Sequence, residues 1–206
     1  MLPTTAMHFL SPDSKCYSFD HRANGYARGE GIGSVIIKRL SQAVRDGDTV
    51  RAVVRGTGVN QDGRTPGITL PSREAQETLI RETYAKSGLD LAQTRYFEAH
   101  GTGTAAGDPI EAGAIAASFL DARSSGDGEP LIIGAIKSNL GHLEGTSGLA
   151  GLIKTILVLE EGRIPANIWM EKVNPKIPAQ QWKLKVLTPN PGISNCLRLY
   201  SSLHQI

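Results

Sequence analysis

Short apolar runs alternate along the chain with segments of helical periodicity, and glycine- or proline-rich stretches separate them. Two β-branched runs come first, so we predict a buried strand over residues 31–40 and a second strand over residues 50–54, with an Asp-Gly-Asp turn at 46–48. Residues 60–71 contain Asp-Gly and Pro-Gly pairs and are predicted to form a loop. The first third of the chain therefore favours strands and loops.

Helices and strands alternate in the remainder. Ser72 is the predicted N-cap of a helix over residues 73–86, and Gly88 stands where a C-cap is expected. Asp108 is predicted to cap a helix that runs to residue 120 and has proline in its first turn. The other predicted segments are strands over residues 95–99, 131–136 and 182–187, loops over 100–107 and 137–142, a solvated linker over 123–129, and a helix over 144–161.

The helix predicted over residues 144–161 carries Gly145, Gly148 and Gly151 at three-residue spacing. Each glycine inside a helix costs about 1 kcal/mol relative to alanine. We therefore expect another backbone to pack closely against this face and the helix to be central. Alternation of strands with helices indicates an α/β layered fold, with helices covering a mixed or parallel sheet.

Composition excludes several functional classes. The net charge is +2 with lysines and arginines scattered, which gives no basic stripe for nucleic acid. No apolar run approaches the roughly 18 residues of a membrane span, and the N-terminus lacks a signal-peptide pattern, so we expect a cytoplasmic protein. Cys16 and Cys196 lie far apart without a metal-binding spacing, which favours two reduced thiols and no metal site.

Two loops of the same form hold the candidate chemistry. His100 and His142 each lie in a glycine-containing loop that follows a predicted strand. Ligands of α/β sheets bind beyond the carboxyl ends of strands, so neighbouring strands would bring both imidazoles into one pocket. Two neutral imidazoles can donate N–H groups to one developing oxyanion, and either can move a proton. The alternative is that each histidine is a hydrogen-bonded structural residue.

The Gly-Thr-Gly-Thr run and the glycines at 29–33 lack the context of phosphate or dinucleotide loops.

The segments EAHGTGT (98–104), GDPIE (107–111) and KSNLGH (137–142) resemble the histidine motifs of β-ketoacyl synthases. FDHRANGYARGEG (19–31) and RGTGVNQDG (55–63) resemble further signatures of the polyketide-synthase branch, and the likeness is greatest to fungal highly reducing type I enzymes. The resemblance implies a thiolase-like α/β fold, of which this chain holds mainly the C-terminal βαβαβ half. It divides the chain into an unmatched start (1–6), the end of the N-terminal half (7–47), the C-terminal half (48–187) and a divergent tail (188–206).

The resemblance also implies roles for individual residues. His100 and His142 are similar to the two histidines that hold the malonyl thioester during decarboxylative Claisen condensation. Lys137 is similar to the lysine that orders that site, and Thr102 and Thr104 are similar to the threonines that hydrogen-bond phosphopantetheine. The implied partners are an acyl carrier protein and its acyl and malonyl thioesters, with no directly bound cofactor. The intact family is homodimeric, a state that is doubtful for this chain.

The family's cysteine nucleophile belongs upstream of residues 19–31, and this chain begins after it. Cys16 stands in a segment that matches a downstream part of the family and is not a substitute, while Cys196 lies outside the match. We therefore expect no condensation by this chain alone. The hypotheses left open are a fragment of an active enzyme, a non-catalytic truncated remnant, and a module that binds phosphopantetheine or acyl thioesters. We also expect exposed apolar faces, with poor solubility or dependence on a partner.

Overall fold

The computed structural model describes residues 9–67, 70–125, 128–189 and 196–198. Its helices are Leu40–Asp46 (α1), Arg73–Ser87 (α2), Gly107–Ser125 (α3), Lys137–Leu140 (α4) and Ser147–Glu161 (α5), with 3₁₀ turns at Leu91–Gln93 and Glu144–Thr146. Its strands are Tyr96–Glu98 (β1), Leu131–Gly134 (β2), Arg163–Pro165 (β3), Leu184–Val186 (β4) and Cys196–Arg198 (β5). Within the described ranges, no helix combines the length and apolar character that crossing a bilayer requires.

A parallel sheet with the order β1-β2-β4 lies at the centre of the fold. Along β2 the side chains alternate between the two faces. Leu131 and Ile133 join a core cluster with Phe119 of α3, whereas Ile132 packs with Val158 of α5. Because helices cover both faces of a parallel sheet, the predicted α/β layering is confirmed.

The capping signals placed α2 correctly. The hydroxyl of Ser72 accepts a hydrogen bond from the N–H of Ala75 at 3.1 Å. Gly88 adopts the left-handed conformation, with φ 61°, that ends a helix. The predicted linker over residues 123–129 was wrong at its start, because α3 continues to Ser125 and Arg123 is only 2% exposed. Lys183, from a segment 60 residues away, donates to the carbonyl oxygen of Arg123 at 3.2 Å, a covering that local sequence does not reveal.

The strands predicted over residues 31–40 and 50–54 are absent from the described sheets. Ile36 is fully exposed, and Ile32 and Val54 are exposed as well. A strand requires a neighbouring backbone edge, and none of the described strands pairs with these segments. Their β-branched residues favour a strand, but the described part of the chain offers these segments no strand to pair with. The expectation of exposed apolar faces is met here.

The three glycines predicted to share one helix face do not pack as expected, and Gly145 lies in the 3₁₀ turn that precedes α5. Among the described residues, nothing lies within 4 Å of where a Cβ of Gly145 or Gly148 would stand. At Gly151 the neighbour is the side chain of Glu98, at 3.3 Å, and not another backbone. The prediction of close backbone packing was therefore wrong.

One further segment differs from expectation, because the loop predicted over residues 137–142 contains the short helix α4. In the tail, residues 196–198 form β5, which pairs antiparallel with β3. Residues 1–8 and, apart from β5, the tail beyond residue 189 lie outside the described residues.

Candidate active site

The two histidines meet because their strands are neighbours. β1 and β2 are parallel, and Glu98 lies opposite Gly134, so the segments that follow the two strands leave the sheet at the same edge. The ring centroids of His100 and His142 lie 5.3 Å apart, with the rings nearly perpendicular. Both line one cavity of about 530 Å³, together with Lys137 and Glu98. The structure thus brings together the histidines that the sequence analysis singled out.

The environment of His142 fixes which ring nitrogen carries the proton. Its Nδ1 accepts the backbone N–H of Glu144 at 3.0 Å and lies 2.8 Å from the Ser147 hydroxyl. A nitrogen that accepts an N–H is unprotonated, so the proton of the neutral ring lies on Nε2. Burial lowers the pKa of His142, and the positive charges of Lys137 and Arg28 lower it further against the opposing carboxylate of Glu144. The ring is therefore a neutral N–H donor near pH 7.

A segment near the N-terminus holds the His142 loop in place. The N–H of His142 donates to the carbonyl oxygen of Ala27 at 2.7 Å, and the N–H of Gly29 donates to the carbonyl oxygen of His142 at 3.0 Å. A Cβ on Gly29 would stand 2.2 Å from the carbonyl oxygen of Leu140, so only glycine allows this approach. The motif at 19–31 and the motif at 137–142 are therefore parts of one site.

His100 is anchored by Glu111, a residue to which the sequence analysis gave no role. The Glu111 carboxylate accepts the backbone N–H groups of His100 at 2.6 Å and Gly101 at 2.8 Å. Burial raises the pKa of Glu111. His100 is solvent-exposed as a residue, yet its ring lies among enough protein atoms to be desolvated. This desolvation, with the charge of Lys137, lowers the pKa of His100 to about 4. The sequence feature that could have indicated this role is the position of Glu111, one helical turn beyond the loop that holds His100.

Lys137 is buried, with 4% of its surface exposed, beside both histidines. Burial lowers the pKa of its ammonium group, while the carboxylates of Glu111 and Glu98 raise it. Its positive charge in turn lowers the pKa of His100. The charge of Lys137 therefore acts on both histidines, and the carboxylates of Glu111 and Glu98 offset part of the cost of burying it.

Thr102 and Thr104 lie beside His100, with their hydroxyl oxygens 3.4 Å apart. Thr102 lines a second cavity, of about 350 Å³, which also contains His100 and the apolar side chains of Phe97 and Ile115. The hydroxyl of Thr104 accepts the N–H of Gly107 at 3.2 Å. Thr104 therefore provides a hydrogen-bond acceptor for one of the free backbone N–H groups at the start of α3.

Asp108 differs from its predicted role as an N-cap, because α3 begins at Gly107 and includes it. Its buried carboxylate accepts the backbone N–H groups of Phe19 at 2.7 Å, Gly103 at 3.0 Å and Thr104 at 3.2 Å. Burial raises its pKa to about 7, against the effect of these donors. Asp108 thus ties the threonine loop to the segment around Phe19.

Cys16 is buried, with 1% of its surface exposed. Its sulfur accepts the N–H of Ala27 at 3.2 Å and lies 3.7 Å from the carbonyl oxygen of the same residue. Burial raises the pKa of this thiol. A reactive cysteine needs an accessible thiolate, so these properties agree with the expectation that Cys16 is not the nucleophile. The side chain of Cys196 lies outside the described part of the chain.

Comparison with known proteins extends these observations. The family model of the beta-ketoacyl synthase C-terminal domain matches residues 51–171, and that of the N-terminal domain matches residues 2–43. Highly reducing polyketide synthase 40 of Fusarium mangiferae is 59% identical over 188 residues, which is 91% of this chain and 8% of that protein. Reducing polyketide synthase pksF of Alternaria solani is 60% identical over 181 residues, covering 88% of this chain and 8% of that protein.

Solved structures agree. The ketosynthase from module 6 of the bacillaene synthase of Bacillus subtilis superposes with a TM-score of 0.88 at 33% identity, covering 98% of this chain and 34% of that one. The chain thus spans about a third of this ketosynthase and a small part of the curated relatives that it matches. The C-terminal family model alone covers more than half of its residues. The chain therefore belongs to the β-ketoacyl synthase family, with the thiolase-like fold of polyketide-synthase ketosynthases.

Proposed function

We propose that this chain carries the malonyl-thioester half of a polyketide ketosynthase site. In this proposal His100 and His142 hold the thioester oxygen, Lys137 sets their electrostatic environment, and Thr102 and Thr104 hydrogen-bond the phosphopantetheine arm of an acyl carrier protein. The observation that carries it is the pair of imidazoles, 5.3 Å apart and lining one cavity. We also propose that the boundary between the N-terminal and C-terminal halves of the ketosynthase lies at residues 47/48, and that the divergent tail begins after residue 187.

The chemistry follows from the charge states of the two rings. When the malonyl carboxylate leaves as CO₂, its bonding electron pair moves into the thioester and develops negative charge on the carbonyl oxygen. Neutral rings, each with one N–H, can donate to that oxygen without the desolvation penalty of a buried imidazolium. The lowered pKa values of His100 and His142 keep both rings in this state near pH 7. One preorganised donor of this kind typically contributes about 10² to 10³ in rate.

Condensation needs a second component, a cysteine thiolate that carries the growing acyl chain. Cys16 is unsuited to this role because it is buried, has a raised pKa and is engaged with the backbone of Ala27. We therefore propose that condensation requires a cysteine other than Cys16, and that the residues of this site bind the donor thioester. The acyl carrier protein and any second ketosynthase subunit are partners of the intact enzyme in this proposal.

A binding titration tests the proposal. A malonyl-pantetheine thioester is titrated against the wild type, His100→Ala, His142→Ala and, as an exposed control, Lys86→Ala. We expect the wild type and the control to bind alike and both histidine variants to bind at least tenfold more weakly. Equal affinity in all four proteins, or no binding by the wild type, would contradict the proposal and favour a non-catalytic remnant. Wild-type binding of pantetheine without the malonyl group, at equal affinity, would favour a simple binding module.

A further inference from the structure

A second buried ionic cluster lies directly behind the histidines. Glu98, the last residue of β1, forms an ion pair of 2.8 Å with Lys154 of α5, and both side chains are less than a tenth exposed. The Tyr96 hydroxyl donates to the same carboxylate oxygen as Lys154. The other oxygen accepts the backbone N–H of Ile136 at 2.6 Å. One carboxylate therefore joins β1, α5 and the residue before α4.

The position of Ile136 gives this cluster its importance, because Lys137 is the next residue. The hydrogen bond from Ile136 to Glu98 therefore fixes the point at which the chain turns into the short helix that carries Lys137. The carboxylate of Glu98 also acts on Lys137 through space, raising the pKa of its ammonium group. Glu98 lines the cavity that holds both histidines.

The packing of α5 is arranged around this carboxylate. A Cβ on Gly151 would stand 3.3 Å from Cγ of Glu98, so the glycine allows α5 to lie close over the end of β1. Lys154 follows Gly151 by three residues and reaches the carboxylate from the same face of the helix. The same helix begins at Ser147, whose hydroxyl lies 2.8 Å from Nδ1 of His142. A displacement of α5 would therefore reach His142 as well.

We propose that Glu98 and Lys154 are positioning residues of this site, which hold the backbone before Lys137 and the start of α5 in the arrangement that places His100 and His142 on one cavity. Lys154 supplies the positive charge that balances the buried carboxylate of Glu98. Neither residue is required to touch the thioester. The proposal deepens the proposed function and rests on it.

The test measures the pKa of Lys137 from the NMR shift of its ε-carbon, in the intact chain without substrate. Glu111, Asp108 and Cys16 also raise the pKa of Lys137, and His100 and His142 interact with it electrostatically; all the variants below keep these five residues. In Glu98→Gln a nearby negative charge is lost, so we expect the pKa of Lys137 to fall. In Lys154→Met a nearby positive charge is lost, so we expect it to rise. The two shifts should have opposite signs, and each should exceed the error of the titration.

Two variants separate positioning from general damage. In the double variant Glu98→Gln/Lys154→Met the two effects oppose each other, and the pKa of Lys137 should return to within about half the single-variant shift. Lys154→Arg keeps the charge and should leave the pKa of Lys137 close to the wild-type value. The matched control is the exposed pair of Glu82 and Lys86, where Glu82→Gln and Lys86→Met should change nothing at Lys137. The double variant also keeps the test open if a single variant fails to fold, because removing both charges of a buried pair is tolerated far better than removing one.

Hydrogen exchange supplies the geometric measurement. We expect the amide of Ile136 to exchange at least tenfold faster in Glu98→Ala than in the wild type, with no change in the Glu82→Ala control. The proposal is overturned if both single variants shift the pKa of Lys137 in the same direction, or if neither the pKa nor the exchange rate changes. These measurements need no substrate, so they are independent of the binding titration. If the pKa of Lys137 shifts in the predicted directions but the malonyl thioester does not bind, the proposed function is wrong and the positioning role stands.

Discussion

Replacing Glu111 with alanine should destabilise the chain more than the removal of any exposed acid, because its carboxylate holds two backbone N–H groups at the root of the histidine loop. The donors are His100 at 2.6 Å and Gly101 at 2.8 Å. Gly101 is buried, so water cannot easily replace its lost partner, whereas the exposed His100 can recover one.

The magnitude follows from this difference. A buried donor left without a partner costs about 1–3 kcal/mol, and the space left by the side chain adds to that. The raised pKa of Glu111 shows that burying the carboxylate is itself unfavourable, which offsets part of the loss. We therefore expect Glu111→Ala to lower the free energy of unfolding by roughly 2–4 kcal/mol. Glu111→Gln should fall between this value and zero, because its amide keeps one acceptor oxygen.

Urea denaturation, followed by circular dichroism at low protein concentration, measures both variants beside a control. The control is Glu82→Ala, which removes an exposed ion pair with Lys86 and should cost only about 0.3–0.5 kcal/mol. If Glu111→Ala loses no more stability than Glu82→Ala, then the two hydrogen bonds do not hold the loop, and the explanation of how His100 is placed is wrong.

Three further predictions concern other parts of the molecule. His100 has a pKa below its value in the unfolded chain, so its own contribution to stability should fall as the pH drops from about 6.5 toward 4. Asp108, whose pKa is raised to about 7, acts in the opposite direction over the same range in both proteins, so the quantity to follow is the difference in denaturation midpoint between the wild type and His100→Ala. This difference should move against the wild type as the pH falls, and a difference that stays constant with pH would refute the prediction. Gly29→Ala should lower the free energy of unfolding by roughly 1–3 kcal/mol, as measured in thermal melts. Gly145→Ala is the control and should cost nothing, because its Cβ would meet no described atom. Equal losses would contradict the close contact between Gly29 and the carbonyl oxygen of Leu140. Ile36→Lys should change stability by less than about 0.5 kcal/mol and raise the soluble fraction on expression, and a large loss of stability would mean that Ile36 is covered in solution.

The sequence predicts those parts of the fold whose causes are local. The caps of α2 at Ser72 and Gly88 and the apolar run of β2 depend on neighbouring residues, and the structure agrees with them. The convergence of the histidines follows from a general rule for parallel strands and needs no knowledge of side-chain packing.

Features that depend on distant parts of the chain could not be predicted in this way. The run around Ile36 has the composition of a strand, but strand formation requires a pairing edge that its own residues cannot supply. Lys154 appears in the sequence as an isolated charge within an apolar helix, and only the fold shows that Glu98, 56 positions earlier, is its partner. The glycines of α5 suggested a backbone contact, whereas Gly151 makes room for that same carboxylate.

The most direct test of the central claim is a ¹⁵N spectrum of the histidine rings at pH 7, recorded before and during addition of a malonyl-pantetheine thioester. We expect His100 and His142 both to be neutral, the proton of His142 to lie on Nε2, and both rings to shift with the same apparent dissociation constant. A protonated ring at pH 7, a proton on Nδ1 of His142, or a response from only one of the two histidines would contradict it.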